Sequence, residues 1–97
     1  AGALAAADAL LARDPGSEKA LALRARLLFK AGRLDEARRD LAASLVLNHD
    51  DNAARYGLAV ICEKQGDLKC ARGEWGTFLQ LEPENAAVAA RLKALGN

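Results

Sequence analysis

The chain has 97 residues, the size of one small domain, so a two-lobed enzyme with a cleft between domains is not expected. The chain has fourteen Lys and Arg residues and thirteen Asp and Glu residues. The resulting formal net charge of +1 removes the electrostatic basis for a nucleic-acid partner. A composition that is 52% hydrophobic and 28% charged excludes intrinsic disorder. Abundant Ala and Leu with only 4% aromatic residues predict helices throughout.

Membrane insertion is also not expected from the sequence. Charged residues interrupt every apolar stretch before it reaches the roughly 20 residues that cross a bilayer. The segment Ala1–Ala12 lacks the basic start of a secretory signal peptide, although a processed chain would have lost such a segment.

The sequence repeats itself at a constant offset. Residues 18–51 laid over residues 52–85 give nine identities, where about four are expected by chance in so Ala- and Leu-rich a chain. Turn residues recur at the same offset, at Pro15, His49 and Pro83, and helix N-cap residues follow two positions later at Ser17, Asp51 and Asn85. Gly32 and Gly66 lie midway, where a residue that tolerates positive φ ends one helix and allows a sharp turn.

These signals predict six helices with one apolar stripe each. The helices are predicted at residues 2–13, 18–31, 34–47, 52–65, 68–81 and 86–95. The stripes of the two central hairpins contain Leu21, Ala25, Leu28 and Phe29 with Leu34, Ala37, Leu41 and Leu45, then Leu58, Ala59, Ile61 and Cys62 with Leu68, Ala71, Trp75, Phe78 and Leu79.

The repeat resembles the tetratricopeptide repeat family. The unit of that family is an antiparallel pair of helices that spans as many residues as the offset between the two overlaid segments. The residues that carry the resemblance are Leu21, Ala25, Leu28, Gly32, Leu34, Ala37, Leu41 and Leu45, then Leu58, Ala59, Gly66, Leu68, Ala71, Trp75, Leu79 and Pro83. The resemblance implies an all-α fold, a right-handed solenoid of antiparallel helix hairpins in a single domain. Its parts would be a leading half repeat at 1–17, full repeats at 18–51 and 52–85, and a capping helix at 86–97.

Three residues depart from the family pattern. Arg24 stands where the family usually has an apolar residue, His49 replaces the usual proline, and Phe78 fills a position that is usually small. The last helix is thin because it is rich in alanine, so Trp75 and Phe78 are expected to pack into the room that it leaves.

The resemblance implies a concave groove lined by the first helix of each pair, where a partner protein binds. Carried over by position, the groove residues are Lys19, Leu23, Arg26, Phe29, Lys30, Tyr56, Val60, Glu63, Lys64 and Arg91. This mixed surface suits a peptide or helix with apolar and acidic residues, because it offers both apolar area and cations. The alternative interpretation is that Phe29 belongs to the core and the basic residues form a solvated face.

One known use of this fold, capture of a chaperone's terminal carboxylate by a clamp of Lys, Asn and Arg, is disfavoured. Ala22, Gly57 and Ala87 occupy positions where the clamp needs Lys, Asn and Lys, and Arg26 stands where it needs Asn. Only Arg91 fits.

Two observations support an alternative role as a structural or oligomerisation segment of a longer helical array. The helix at residues 2–13 has an apolar face with Leu4, Leu10 and Leu11 that a second copy could cover. Residues 18–47 carry a net charge of +3 and residues 48–85 a net charge of −3, a polarity that favours head-to-tail association. Either role fits a fragment of a larger scaffold or assembly protein.

No catalytic residue, metal site or cofactor is predicted. Cys62 is expected to be a small core residue, with a Cys62–Cys70 disulfide as the lesser alternative, and His49 is expected to be a turn residue. The composition suggests a GC-rich bacterial source. Free cysteines would favour the cytoplasm, and a role in bacterial envelope assembly stays open.

Overall fold

The computed structural model describes residues 2–96; Ala1 and Asn97, the outer ends of the predicted half repeat and capping helix, lie outside them. Six helices follow one another along the described chain. They are α1 (Gly2–Arg13), α2 (Glu18–Lys30), α3 (Leu34–Leu47), α4 (Asn52–Lys64), α5 (Leu68–Leu81) and α6 (Ala86–Ala94). The all-α prediction is confirmed, and every predicted helix boundary agrees to within one residue.

The predicted N-caps are confirmed by hydrogen bonds. Each of Ser17, Asp51 and Asn85 accepts a hydrogen bond from the backbone N–H three residues later, at 3.1 to 3.2 Å. Asp67 caps α5 in the same way, at 3.1 Å from the N–H of Cys70. These side chains satisfy backbone donors that a helix start leaves without a partner, and so they fix where the helices begin.

Gly32 and Gly66 end their helices in the left-handed region, with φ of 80° and 75°. In both turns the residue after the glycine donates its N–H to a carbonyl five residues back, at 2.9 Å, from Arg33 to Leu28 and from Asp67 to Cys62. This is the Schellman pattern, which reverses the chain tightly enough for the next helix to pack against the one just finished.

The chain forms two compact units, residues 1–49 and residues 50–97. In the first unit α2 packs against α1 and α3, and in the second α5 packs against α4 and α6. The apolar core of the first unit consists of Ala7, Leu11, Ala20, Leu21, Ala25, Leu28, Ala37 and Leu41. The core of the second consists of Ala54, Leu58, Ala59, Ile61, Cys62, Ala71, Trp75, Phe78 and Val88.

The burial predicted for two leucines, Leu68 and Leu11, is wrong. Leu68 was expected in the apolar stripe of α5 but is 43% exposed, because it is the first residue of that helix at the tip of the hairpin. Leu11 was expected on an open face of α1, but it is buried in a cluster with Ala20 and Leu21 of α2. Of the three leucines assigned to that face, Leu10 is the exposed one, whereas Leu4 is half-buried.

A charged pair joins the two helices of each hairpin. In the first unit Arg24 of α2 lies within 2.7 Å of Asp40 of α3 and 2.9 Å of Asp8 of α1. In the second, Arg55 of α4 lies 3.4 Å from Glu74 of α5. Asp40 and Glu74 are separated by one repeat length, so each hairpin has its acidic partner at the same place in the repeat. The polar Arg24 at a usually apolar position is thereby explained.

Cys62 and Cys70 form a disulfide between α4 and α5. Cys62 is a core residue, as predicted, but the expectation of free cysteines is wrong. The turn at Gly66 brings the two backbones to a Cα–Cα distance of 5.9 Å, which is within the range that a disulfide spans.

Helices long and apolar enough for a membrane crossing are not found among residues 2–96. Within the same residues, no group of three or more His, Cys, Asp or Glu side chains could hold a metal ion. His49 lies exposed in the turn that follows α3.

Candidate interaction surfaces

Four of the predicted site residues share one face of α2. Lys19, Leu23, Arg26 and Lys30 are spaced four, three and four residues apart, a spacing that places side chains in one row along a helix. We call this row the α2 stripe. At a rise of 1.5 Å per residue it is roughly 16 Å long. The three cations are exposed and Leu23 is half-buried, so the stripe combines charge with some apolar surface.

The cations of the α2 stripe are not paired with an anion among the described residues. Among residues 2–96, Lys19, Arg26 and Lys30 form no ion pair and no side-chain hydrogen bond. Two other arginines of the same unit are neutralised: Arg24 pairs with two aspartates, and Arg33 pairs with Glu36 at 2.7 Å. Arg13 and Arg39 are also exposed and unpaired among residues 2–96, one each on α1 and α3, whereas the α2 stripe places three such cations in one row.

Phe29 lies next to the α2 stripe in sequence but differs from it in exposure. Its side chain is half-buried and makes contacts within the protein. Phe29 is therefore neither fully enclosed, as a core residue would be, nor fully exposed, as a groove residue could be.

In the second unit the predicted site residues are Tyr56, Val60, Glu63 and Lys64 of α4 with Arg91 of α6, and we call this set the α4 patch. Tyr56 is 41% exposed, yet its ring is held from below by the buried rings of α5. Its centroid lies 4.9 Å from that of Trp75 and 5.9 Å from that of Phe78, both edge to face. This contact geometry is favourable for aromatic pairs, and it holds Tyr56 in place before any partner arrives.

Glu63 links the three helices of the second unit. Its carboxylate accepts a hydrogen bond from the indole Nε1 of Trp75 and lies 3.2 Å from a guanidinium nitrogen of Arg91. The Arg91 guanidinium also stacks over the Trp75 ring, 5.0 Å from its centroid. A cation over an indole face is attracted by the ring quadrupole, so α6 is attached to α4 and α5 through one polar cluster.

The cluster changes the pKa values of its charged members. Burial by itself would raise the pKa of Glu63, but hydrogen bonds from Arg91 and Trp75 outweigh it and hold the pKa below its ordinary value. The hydrogen bond to Glu63 raises the pKa of Arg91. Both groups are therefore charged at neutral pH, and Glu63 already neutralises much of the charge that Arg91 was predicted to offer a partner.

Each of the two units thus carries part of the predicted site. The first unit carries the α2 stripe and Phe29; the second carries the α4 patch, in which Tyr56, Glu63 and Arg91 surround Trp75, while Val60 is half-buried and Lys64 is exposed. That these residues form one continuous groove stays a prediction.

Trp75 is the residue whose contribution the sequence analysis missed. It was expected to be core only, and it is fully buried, but its N–H also orients Glu63. The available signal was chemical: a buried indole N–H needs an acceptor, and Glu63 lies on the helix that faces Trp75 across the hairpin.

Solved structures with the same fold give this geometry a context. The first tetratricopeptide repeat domain of Spaghetti (RPAP3), bound to the HSP90 peptide SRMEEVD, matches with a TM-score of 0.86 at 19% identity, covering 96% of this chain and 74% of that one. The second such domain of human RPAP3, in complex with the HSP70 peptide SGPTIEEVD, matches with a TM-score of 0.84 at 22% identity, covering 97% and 78%. No curated protein sequence matches the chain.

The high TM-scores of these solved structures establish the helix-hairpin fold. Their low sequence identities support no conclusion beyond the fold. At the level of sequence, the family model described as tetratricopeptide repeat matches residues 1–46 and 23–91, which together span most of the chain. The repeat period, the capped helix hairpins and these matches agree, and the chain belongs to the tetratricopeptide repeat family.

Proposed function

We propose that the chain is a non-catalytic interaction module, of the kind used in scaffold and assembly proteins, that binds an acidic and apolar segment of a partner protein. The observation that carries this proposal is the α2 stripe, in which three exposed cations lack an anion among the described residues. Uncompensated charge on one face steers and orients an oppositely charged partner. The peptide-bound structures of related fold support binding of a peptide segment.

Each unit offers one apolar anchor for such a partner, Leu23 on the α2 stripe and Tyr56 on the α4 patch. Tyr56 is the better anchor because its ring is already held by Trp75 and Phe78, so little side-chain freedom is lost on binding. Tyrosine is also among the residues that most often dominate the energy of protein interfaces.

The partner is expected to contribute acidic side chains rather than a chain terminus. The relatives of similar fold are bound to peptides that end in EEVD. In this chain, however, Ala22, Gly57 and Ala87 replace the polar residues of a carboxylate clamp, and Arg91 is engaged by Glu63. A free terminal carboxylate would therefore meet too few donors.

The test is fluorescence anisotropy with a labelled peptide that alternates leucine and glutamate. The parent chain should bind it saturably, and the triple variant Lys19→Glu, Arg26→Glu, Lys30→Glu should bind at least 10-fold more weakly, because attraction becomes repulsion. The peptides SRMEEVD and SGPTIEEVD, each as free acid and as C-terminal amide, serve as comparators. We expect amidation to change their affinity by less than 2-fold.

A matched variant controls for net charge. Arg39→Glu, Lys69→Glu, Lys93→Glu makes the same change of charge at exposed positions off the stripe, and it should retain most of the affinity. Equal losses in the two triple variants would show that only total charge matters and would remove the basis of the proposal.

A second candidate function is self-association through α1. It is favoured by Leu10, which is 48% exposed on a helix whose other outward positions are mostly alanine. Leu10→Ser should then abolish any concentration-dependent increase in mass measured by analytical ultracentrifugation, whereas Leu4→Ser, at a half-buried position, should weaken it less. A parent chain that stays monomeric at millimolar concentration would rule this function out.

A further inference from the structure

The Cys62–Cys70 disulfide joins α4, which carries most of the α4 patch, to α5, whose buried rings support Tyr56. Cys62 precedes Glu63 directly on α4, and Cys70 lies on α5 in the turn of helix that follows the Asp67 cap. The disulfide, the Gly66 turn and the Asp67 cap therefore occupy the same end of the hairpin. No further cysteine is present in the chain, so the pair has no competing partner within it.

We propose that this disulfide is a redox-dependent staple of the second unit, and that the chain reaches its full stability only in an oxidising compartment. A disulfide stabilises a fold chiefly by restricting the unfolded chain. For a loop closed over a sequence separation of 8 residues, the chain-entropy relation gives about a 65-fold change in the unfolding equilibrium constant.

The position of the two sulfurs also predicts how the staple opens. Cys62 is fully buried in the core stripe of α4, whereas Cys70 is half-buried. An external thiolate would attack Sγ of Cys70, form a mixed disulfide with it and displace the Cys62 sulfur, which then takes a proton. A second thiol releases Cys70, so two external thiols are oxidised to one disulfide while both cysteines are reduced.

This route is slow in the folded protein. The displaced sulfur of Cys62 would have to leave as a thiolate inside an apolar core, which disfavours the charged form. Attack on Cys62 itself is blocked by its burial. Reduction should therefore wait for opening of the second unit, a property of a staple built to persist rather than of an exposed catalytic disulfide.

Trp75 provides the readout, because it is the only tryptophan and lies fully buried in the second unit against Glu63. The chain is purified without reductant, and free thiols are titrated with Ellman's reagent in denaturant. We expect none. Urea unfolding is then followed by Trp75 fluorescence with and without tris(2-carboxyethyl)phosphine, and reduction should move the midpoint to lower urea.

The variant Cys70→Ser provides the control. It keeps the Cys62 side chain in the core but cannot form the bond, so it should unfold at the midpoint of the reduced parent and should not respond to reductant. Hydrogen exchange measured by mass spectrometry should show the largest effect of reduction in α4 and α5. Two free thiols in the purified chain, or identical urea midpoints for the oxidised and reduced parent, would overturn the proposal.

The compartment follows from the same chemistry. When source cells are quenched in acid and the chain is unfolded before it is labelled with a maleimide at neutral pH, the pair should stay unmodified if the chain works where disulfides persist. Modification of both cysteines in freshly trapped cells would place the chain in a reducing compartment and would contradict the proposal.

Discussion

Arg24 of α2 binds Asp40 of α3 through two parallel hydrogen bonds, 2.7 Å from Nε and 2.8 Å from Nη2 to the two carboxylate oxygens. Asp40 is only 6% exposed, so Arg24 takes the place of water as the partner of its carboxylate. The hydrogen bond to Asp40 holds the pKa of Arg24 above its ordinary range. Since Arg24 also reaches Asp8 of α1, one side chain joins all three helices of the first unit.

Replacing Arg24 should destabilise the first unit more than its partial exposure suggests. Arg24→Ala leaves the Asp40 carboxylate buried without a cation, and we expect a loss of about 2 to 3 kcal/mol, somewhat below the cost for a fully buried pair. Asp8 is 59% exposed, and Asp8→Ala should cost less than about 1 kcal/mol. Urea unfolding followed by circular dichroism measures both.

The double variant Arg24→Leu, Asp40→Leu should recover most of the lost stability, because replacing both members of a buried pair by apolar residues is often neutral. A double variant as unstable as the single one would show that the charges do more than compensate each other.

Substitution by alanine should have opposite effects on the stability of the protein at Gly73 and at Gly66. Gly73 lies inside α5 with open space where a Cβ would stand, and Gly73→Ala should stabilise the protein by about 0.5 to 1 kcal/mol through its helix propensity. Gly66 has a φ of 75°, and Gly66→Ala should destabilise the protein by about 1 to 2 kcal/mol. If both substitutions shifted the thermal midpoint in the same direction, this explanation would be contradicted.

The helices could be predicted from the sequence because their signals are local. Helix starts are fixed by the caps Ser17, Asp51 and Asn85, and helix ends are fixed by Gly32 and Gly66. These residues act through contacts within a few residues of themselves. Such signals recur once in every repeat, so each confirms the others.

The tertiary contacts of particular side chains could not be predicted in the same way. The Glu63–Arg91 pair spans 28 residues, and its existence depends on where α6 packs. The disulfide depends on the relative rotation of α4 and α5, which the spacing of eight residues leaves open. The exposure of Leu68 shows the same limit, since periodicity identifies a stripe but not which end of it remains uncovered.

The second unit should lose stability in acid through Glu63. Its folded-state pKa lies below the ordinary value of 4.5, so its contribution is fully present above pH 4.5 and is lost as the pH falls through the folded-state pKa. Glu63→Gln removes this contribution, and we expect a loss of about 0.5 to 1 kcal/mol at pH 7. The difference between parent and variant should disappear in acid. A difference in unfolding free energy that is constant from pH 7 to pH 3 would refute the assignment.

Trp75 should be the most sensitive position of the second unit. Trp75→Ala should cost about 3 to 5 kcal/mol, because it empties a fully buried site. Trp75→Phe keeps an aromatic ring but removes the N–H that orients Glu63, and it should cost clearly less. Circular dichroism measures the thermal midpoints, and an unchanged midpoint for Trp75→Ala would show that the helix register is wrong.

A nuclear magnetic resonance titration shows whether the α2 stripe receives an acidic and apolar segment. The ¹⁵N-labelled chain is titrated with the leucine–glutamate peptide while amide shifts are recorded. We expect saturable shifts that cluster on α2, at and around residues 19, 23, 26 and 30. Shifts confined to α1, or scattered over the surface without saturation, would contradict it.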